Sequence, residues 1–144
     1  MRKIVIFSGA GISAESGIST FRDANGLWEN HDIMKVASVE GWNNNPQFVL
    51  DFYNQRRKQL SNFQTNVANF FLKELEDDFN VVIITQNVDD LHERACSSYV
   101  IHLHGELNKV RSVVNSKQLI KWEDDLNLGD LAPDGYQDTV RKTV

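Results

Sequence analysis

At 144 residues, with 41% hydrophobic and 24% charged residues, the chain is sized and composed for one globular domain with a single core. A net charge of −5 with dispersed Lys and Arg leaves no nucleic-acid footprint, and no apolar run approaches the ~18 residues of a membrane helix. The one cysteine, Cys96, can form neither an internal disulfide nor a cysteine-built zinc site.

The start, Met1-Arg2-Lys3 before four apolar residues, is too short for a signal-peptide core, so a cytoplasmic location is the default expectation. Residues 3–8, with Ile4-Val5-Ile6-Phe7, read as a buried strand of a parallel sheet. That strand runs into Gly9-Ala10-Gly11-Ile12-Ser13-Ala14-Glu15, a Gly-x-Gly-x-x-Ala turn. Such a turn lets the backbone approach a pyrophosphate and aims the next helix's N-terminus at it. Thr20-Phe21-Arg22-Asp23 follows, and an ordinary strand-to-helix turn gives no reason for Arg after Phe there. Asn25 to Asn30 reads as loop.

Pro46 opens a helix with Phe48, Val49, Phe52, Tyr53 and Leu60 on one apolar face, and Arg56-Arg57-Lys58 as a charged face. Asn66 to Asp78 is a second predicted helix, turning Val67, Phe70, Phe71 and Leu75 inward. Residues 80–85 and 99–103 are further strands. The gap between the first two strands exceeds one crossover helix, so residues 30–79 are expected to hold an inserted helical module. After Leu107 the pattern weakens, with short strands possible around Val110, Val113 and Val114 and at Leu119-Ile120-Lys121-Trp122. The segment from Leu126 is turn-rich, and Asp138 to Val144 is polar and expected to fray. The fold class is α/β, a small Rossmann-like parallel sheet.

Several residues carry chemistry. His104 ends the third strand, at the carboxyl edge where parallel sheets bind ligands, and an imidazole is a base suited to neutral pH. Read alone, it is more simply a histidine satisfying local backbone. His102, one pleat earlier and assigned to the opposite face, is left structural. His92 is expected to pack a helix start, and His31 has no case. Gln86, Asn87 and Asp89 follow the second strand, where they can fix ribose hydroxyls and a carboxamide or simply cap a helix. Tyr53 and Arg56 share a helix face, and a guanidinium beside a phenol suits an acyl group ending in a carboxylate. The plainer reading is a solvated Arg beside a half-buried Tyr. Ser8, Ser13 and Ser16 lack a partnered base and are not read as nucleophiles.

Taken together, Gly9 to Asp23, Thr85-Gln86-Asn87-Val88-Asp89-Asp90-Leu91-His92-Glu93-Arg94-Ala95, His102-Leu103-His104-Gly105-Glu106-Leu107 and Tyr53-x-x-Arg56 resemble a sirtuin. Sirtuins are NAD-dependent protein-lysine deacylases, and the likeness is greatest to the bacterial desuccinylase–deacetylase branch. The resemblance implies NAD as cofactor, acylated-lysine proteins as substrates, and transfer of the acyl group to ADP-ribose with release of nicotinamide. It implies His104 as the general base. It implies Gly9, Ala10, Gly11, Ile12, Ala14, Glu15, Phe21, Arg22, Trp28, Gln86, Asn87 and Asp89 on the cofactor, and Tyr53 with Arg56 on an acidic acyl group.

The likeness also has departures. Ser112 stands where the family's first zinc cysteine would be, so residues 108–137 are expected to be a remnant of the zinc module without metal. Thr65 and Asn69 replace a Pro and a His usual at the helix start. The match stops near Gln137, which leads to the expectation of a single domain over 1–144, incomplete at its C-terminus, with an open apolar sheet edge and no turnover alone. Two other readings compete. An NAD-dependent dehydrogenase would need an acidic residue ending a second strand about 20 residues on, and the segment before Asp32 is not a strand. A non-catalytic NAD or ADP-ribose binder stays open.

Overall fold

Runs of β-branched residues build the sheet on which everything else is hung. The computed structural model describes residues 1–20, 27–113, 117, 119–131 and the backbone of 140–142. Strand β1 (Arg2–Ser8) leads through a 3-10 helix (Ala10–Ser16) to a minimal hairpin of β2 (Leu27–Trp28) and β3 (His31–Asp32). Helices α1 (Ile33–Val36), α2 (Val39–Asn44), α3 (Pro46–Leu60) and α4 (Val67–Glu74) follow, then β4 (Phe79–Thr85), the one-turn helix α5 (Leu91–Arg94) and β5 (Val100–His102). Strands β6 (Lys109–Ser112), β7 (Leu119–Lys121) and β8 (Val140–Lys142) form a separate antiparallel sheet in the order β7-β6-β8.

The main sheet has the order β1-β4-β5 and is parallel throughout. Its register sets Ile6 beside Ile83, and Ser8, Thr85 and His102 in one row at the carboxyl end. The three strands expected from the sequence are present, as is the helix opened by Pro46. Where a helix was expected after Gly9, the chain makes a 3-10 helix whose Gly9 end has no side-chain cap. Where a plain loop was expected before Asp32, Trp28 pairs with His31 across the small hairpin.

Local polar groups start the helices. Asp32 accepts from the Met34 amide at 2.9 Å, Ser38 from the Gly41 amide at 2.9 Å, and Asn45 from the Phe48 amide at 3.1 Å, just before Pro46 at the first helical position. The crossing of α1 and α2 relies on Gly41. A Cβ there would lie 2.4 Å from the Lys35 carbonyl oxygen and 2.7 Å from that of Met34, both backbone atoms.

Helix α4 departs from its predicted orientation. Val67, Phe70 and Phe71 are exposed, Val67 by 79%. The polar end holds this helix instead. Asn66 Oδ1 accepts from the Ala68 amide while Asn69 Oδ1 accepts from the Asn66 amide, a reciprocal capping box. Asn66 Nδ2 reaches back to the Ile12 carbonyl and Ser16 Oγ, both at 2.8 Å, and Asn69 is fully buried. Burial of Asn69 and the inward ties of half-buried Asn66 turn the aromatic face outward. Val5 and Phe7 on the edge strand β1 are also exposed, Phe7 by 63%, so one face of the sheet is apolar and open among the described residues.

The core lies between α3 and its neighbours. Val36, Val49, Phe52, Tyr53, Leu60 and Leu107 form one buried cluster, and Leu50, Val110 and Leu126 a second. Trp28, Phe52 and Tyr53 meet edge to face, with centroids 5.0, 5.7 and 5.2 Å apart. Arg57 does not join a solvated charged face. It is buried, with Nε donating to the Leu107 carbonyl at 2.7 Å and Nη1 to Asn54 Oδ1 at 2.7 Å. Asn54 in turn donates to the Leu126 carbonyl and accepts from its amide, each at 2.9 Å. Of Arg56, Arg57 and Lys58, Lys58 is the exposed cation, paired with Asp125.

Arg57→Met should therefore lower unfolding free energy by about 2–3 kcal/mol, because it strands buried acceptors that a charged donor now satisfies. Urea denaturation is the measurement. A change within about 0.5 kcal/mol, the range of ordinary surface substitutions, would show that this buried tie contributes little.

Candidate functional site

The row Ser8–Thr85–His102 ends at a cleft. Three backbone segments leave the sheet there in parallel, stitched by Gln86 N–H to the Ser8 carbonyl at 3.0 Å and Leu103 N–H to the Thr85 carbonyl at 2.9 Å. Between them lies a cavity of about 300 Å³, walled by Ala10, Ser13, Ile18, Trp28, Tyr53, Gln86, Asn87, Val88, Asp89 and His104.

Its floor is a short hydrogen-bond chain. Asn87 Nδ2 donates to the Gly9 carbonyl at 3.1 Å and to Ser13 Oγ at 3.0 Å. Ser13 Oγ donates to Asp89 Oδ2 at 2.9 Å, and Asp89 Oδ1 accepts from the amide of Leu91, the first residue of α5, at 3.2 Å. Burial pushes the Asp89 carboxyl above its ordinary range, against the opposing pull of the Ser13 and Leu91 donors. Above the cleft floor, His104 is exposed, and its Nδ1 faces the Gln86 carbonyl at 3.2 Å. A carbonyl only accepts, so in the neutral ring Nδ1 carries the proton and Nε2 the lone pair. That is the tautomer a general base needs. Burial also pushes the Tyr53 phenol up, so it stays a neutral hydroxyl.

Eight residues singled out from the sequence meet here or touch it: Gly9 through its carbonyl, and Ala10, Trp28, Tyr53, Gln86, Asn87, Asp89 and His104 as wall. Others do not. Gly11, Ala14 and Glu15 are exposed and outside the cavity wall, and Ile12 instead offers its carbonyl to Asn66. Phe21 and Arg22 lie outside the described residues. Arg56 borders a smaller neighbouring cavity of about 40 Å³ that shares Ile18, Trp28, Val88 and Asp89 with the cleft. Its guanidinium stacks 4.9 Å from the Phe52 ring centroid, and Nε and Nη1 are buried with no partner among the described residues.

The histidines separate cleanly. His92 is buried, with Nε2 3.1 Å from Ser8 Oγ, and packs the start of α5 as expected. Burial pushes its imidazole down. His31 lies between the rings of Phe48 and Phe52. Positions 102 and 104 of an unbroken strand would share a face. They part because β5 ends at His102 and the chain bends through Leu103 and His104. Ser13 was not read as a site residue, since no base stands near it in sequence. Its partner Asp89 lies 76 positions away and only folding brings them together.

Glu93, His102 and Glu106 bring ligand-type atoms within 4.8 Å of one another. They satisfy each other as an ion-pair network instead: His102 Nε2 lies 2.7 Å from Glu93 Oε1, and Lys109 Nζ lies 2.7 Å from Glu106 Oε1. In β6, Ser112 is buried beside Val110, and the second core cluster packs this segment.

Comparison with known proteins gives a consistent picture. Residues 9–130 match the Sir2 family model. The chain is 65% identical over 137 residues to an NAD-dependent protein deacylase of Helicobacter pylori, covering 95% of this chain and 60% of that protein. It is 52% identical over 143 residues to an NAD-dependent protein deacylase of Bacteroides thetaiotaomicron, covering 95% and 61%. A solved Sir2 homologue–NAD complex superposes with a TM-score of 0.80 at 37% identity, over 99% of this chain and 56% of that one. The chain thus spans about 60% of the length of these curated relatives.

The cleft chemistry makes a prediction about stability. A raised Asp89 carboxyl imposes a cost that is absent below about pH 3.9 and grows as pH rises through the folded value. Asp89→Asn removes the charge and keeps the shape. It should unfold at higher urea than wild type at pH 7, with the difference vanishing near pH 4. A variant less stable than wild type at pH 7 would mean the Ser13 and Leu91 donors outweigh burial.

Proposed function

The chain belongs to the Sir2 family, and on that premise we propose that it is an NAD-dependent protein-lysine deacylase of the desuccinylase–deacetylase type. The observation that carries the reading is His104 Nε2, a base with its tautomer set by the Gln86 carbonyl, at a cleft floored by Asn87, Ser13 and Asp89. The polar set fits NAD: the Asp89 carboxyl and Asn87 Oδ1 are acceptors for a carboxamide N–H2, and exposed Gln86 and His104 match ribose hydroxyls. When bound, NAD supplies an electrophilic ribose carbon with nicotinamide as its leaving group. His104 Nε2 would take a proton from a ribose hydroxyl, so that the acyl group passes from lysine to ADP-ribose. The Trp28 and Tyr53 wall, backed by Phe52, would exclude water from one side.

Tyr53 and Arg56 would read the acyl group. The unpartnered Nε and Nη1 of Arg56 supply two donors for a carboxylate, and the neutral Tyr53 hydroxyl one more. Ala10, Trp28 and the turn residues Gly9, Gly11, Ile12, Ala14 and Glu15, with Phe21 and Arg22, complete the proposed cofactor set. Within this reading residues 30–79 are the helical module and residues 108–137 the counterpart of a zinc module, with no zinc held. Acylated-lysine proteins are the proposed substrates, in the cytoplasm, with neither nucleic acid nor membrane as partner. No helix of the described residues is long and apolar enough to cross a membrane.

A second reading is a non-catalytic NAD or ADP-ribose binder. The polar floor of Asn87, Ser13 and Asp89 serves that reading without any step at His104.

Mass spectrometry of a succinyl-lysine peptide with NAD separates the two readings. The deacylase reading expects NAD-dependent succinyl loss that His104→Ala abolishes, whereas NAD binding without any turnover would favour the binder. Arg56→Met should lower desuccinylation by roughly 10- to 100-fold, the worth of a charge-assisted contact, and leave deacetylation near wild type. Equal loss of both activities would remove Arg56 from substrate selection.

A further inference from the structure

His102 is 5% exposed at its side chain and is held at both ring nitrogens. Nδ1 lies 2.8 Å from the Asn87 carbonyl oxygen, and Nε2 lies 2.7 Å from Glu93 Oε1 and 3.9 Å from Glu106 Oε1. Both close partners are acceptors. A carbonyl and a carboxylate can be satisfied together only by a ring carrying two N–H groups. In the neutral ring one nitrogen would turn a lone pair on an acceptor less than 3 Å away, and one of the two contacts would have to open.

The Asn87 end of that clamp leads into the cleft. The Asn87 backbone is fixed at its amide by Thr85 Oγ1, at 3.1 Å, and at its carbonyl by His102. Between these two ties the side-chain amide spans Gly9 and Ser13. We propose that His102, as an imidazolium held between the Asn87 carbonyl and the Glu93–Glu106 carboxylates, is a positioning residue that sets the Asn87 wall of the cleft and makes it responsive to proton concentration. The proposal rests on the reading of the cleft as an NAD site for its consequence, though not for the clamp itself.

The carboxylates facing His102 favour its charged form, and the neighbouring cations and imidazole oppose it. Glu93 comes from α5, and Glu106 from the turn after β5, with Lys109 of β6 paired to it. His92 is the neighbouring imidazole on α5, and Arg111 and Lys117 border the same surface cavity. Burial alone would push the His102 imidazolium down. The hydrogen bonds to Glu93 and Asn87, with the charges of Glu93 and Glu106, override it and raise it above the ordinary imidazole value. Glu93 moves the opposite way: burial would raise it, and His102 holds it below the usual carboxylate range. A raised imidazole contributes fully below about pH 6.5, and its contribution fades as pH rises through the folded value.

NMR of the 144-residue chain tests this without a variant. The His102 ring signal should titrate above the ordinary imidazole range, and the Asn87 side-chain amide should shift with the same midpoint. NAD affinity should weaken about fivefold across that midpoint, the worth of one hydrogen bond. Glu93→Gln should move all three transitions to lower pH. A His102 midpoint at or below the ordinary range, or an Asn87 amide blind to it, overturns the clamp. Coupled titration with no NAD binding at any pH would uphold the clamp and overturn the NAD reading of the cleft.

Discussion

The parallel register of β1, β4 and β5 is the constraint on which the cleft depends. It ends three strands in the same row, at Ser8, Thr85 and His102, and each following segment departs from there. Side chains alternate along strands, so a slip of one residue in β5 would exchange His102 and Ile101 across the sheet. Asn87 would lose its carbonyl partner, and His104 would leave the Gln86 carbonyl. The register in turn follows from Ile4, Ile6, Val81, Ile83 and Val100, which must share one face.

Around that row, polar groups do what burial alone cannot. Apolar packing brings α3 against the rest of the molecule, but Arg57 and Asn54 set its distance from the segment that carries Leu107 and Leu126. Arg94 plays the same part for α5, reaching the Leu60 and Phe63 carbonyls at the end of α3 and Asp90 on its own turn. The helical module and the strand ends are therefore coupled through backbone carbonyls as well as through methyl groups.

Much of this was legible from the chain. Ile4 to Phe7 and Val81 to Ile84 announce parallel strands by their uniformly apolar runs, although the Val5–Phe7 face of β1 is open among the described residues, and Pro46 marks a helix start because its ring suits the first turn. The turn at Gly9 and the polar run Gln86 to Asp89 mark the cleft in the sequence itself. What failed has a common cause. The inward face assigned to α4 assumed that apolar residues decide orientation, while half-buried Asn66, tied to Ile12 and Ser16, and buried Asn69 decide it instead. Arg57 looked like part of a charged stripe because its acceptors, at Leu107 and Asn54, include a carbonyl 50 positions away. Ser13 was discounted for want of a neighbour that only the fold supplies. Sequence periodicity reports local geometry, and each miss turned on a polar contact made over a long separation.

Gly41 carries a consequence for relatives of this chain. The space that a methyl group would fill is taken by the Lys35 and Met34 carbonyls, so no side chain can be fitted while α1 and α2 keep their crossing. Variation at this position is filtered by volume before chemistry: even the methyl of alanine requires backbone to move. A related sequence with any other residue at the equivalent position must shift α1 against α2, and α1 follows directly on the hairpin of Trp28 that forms one wall of the cleft. One missing carbon thus serves as a marker, readable from sequence, for whether a homologue keeps this mouth to its site.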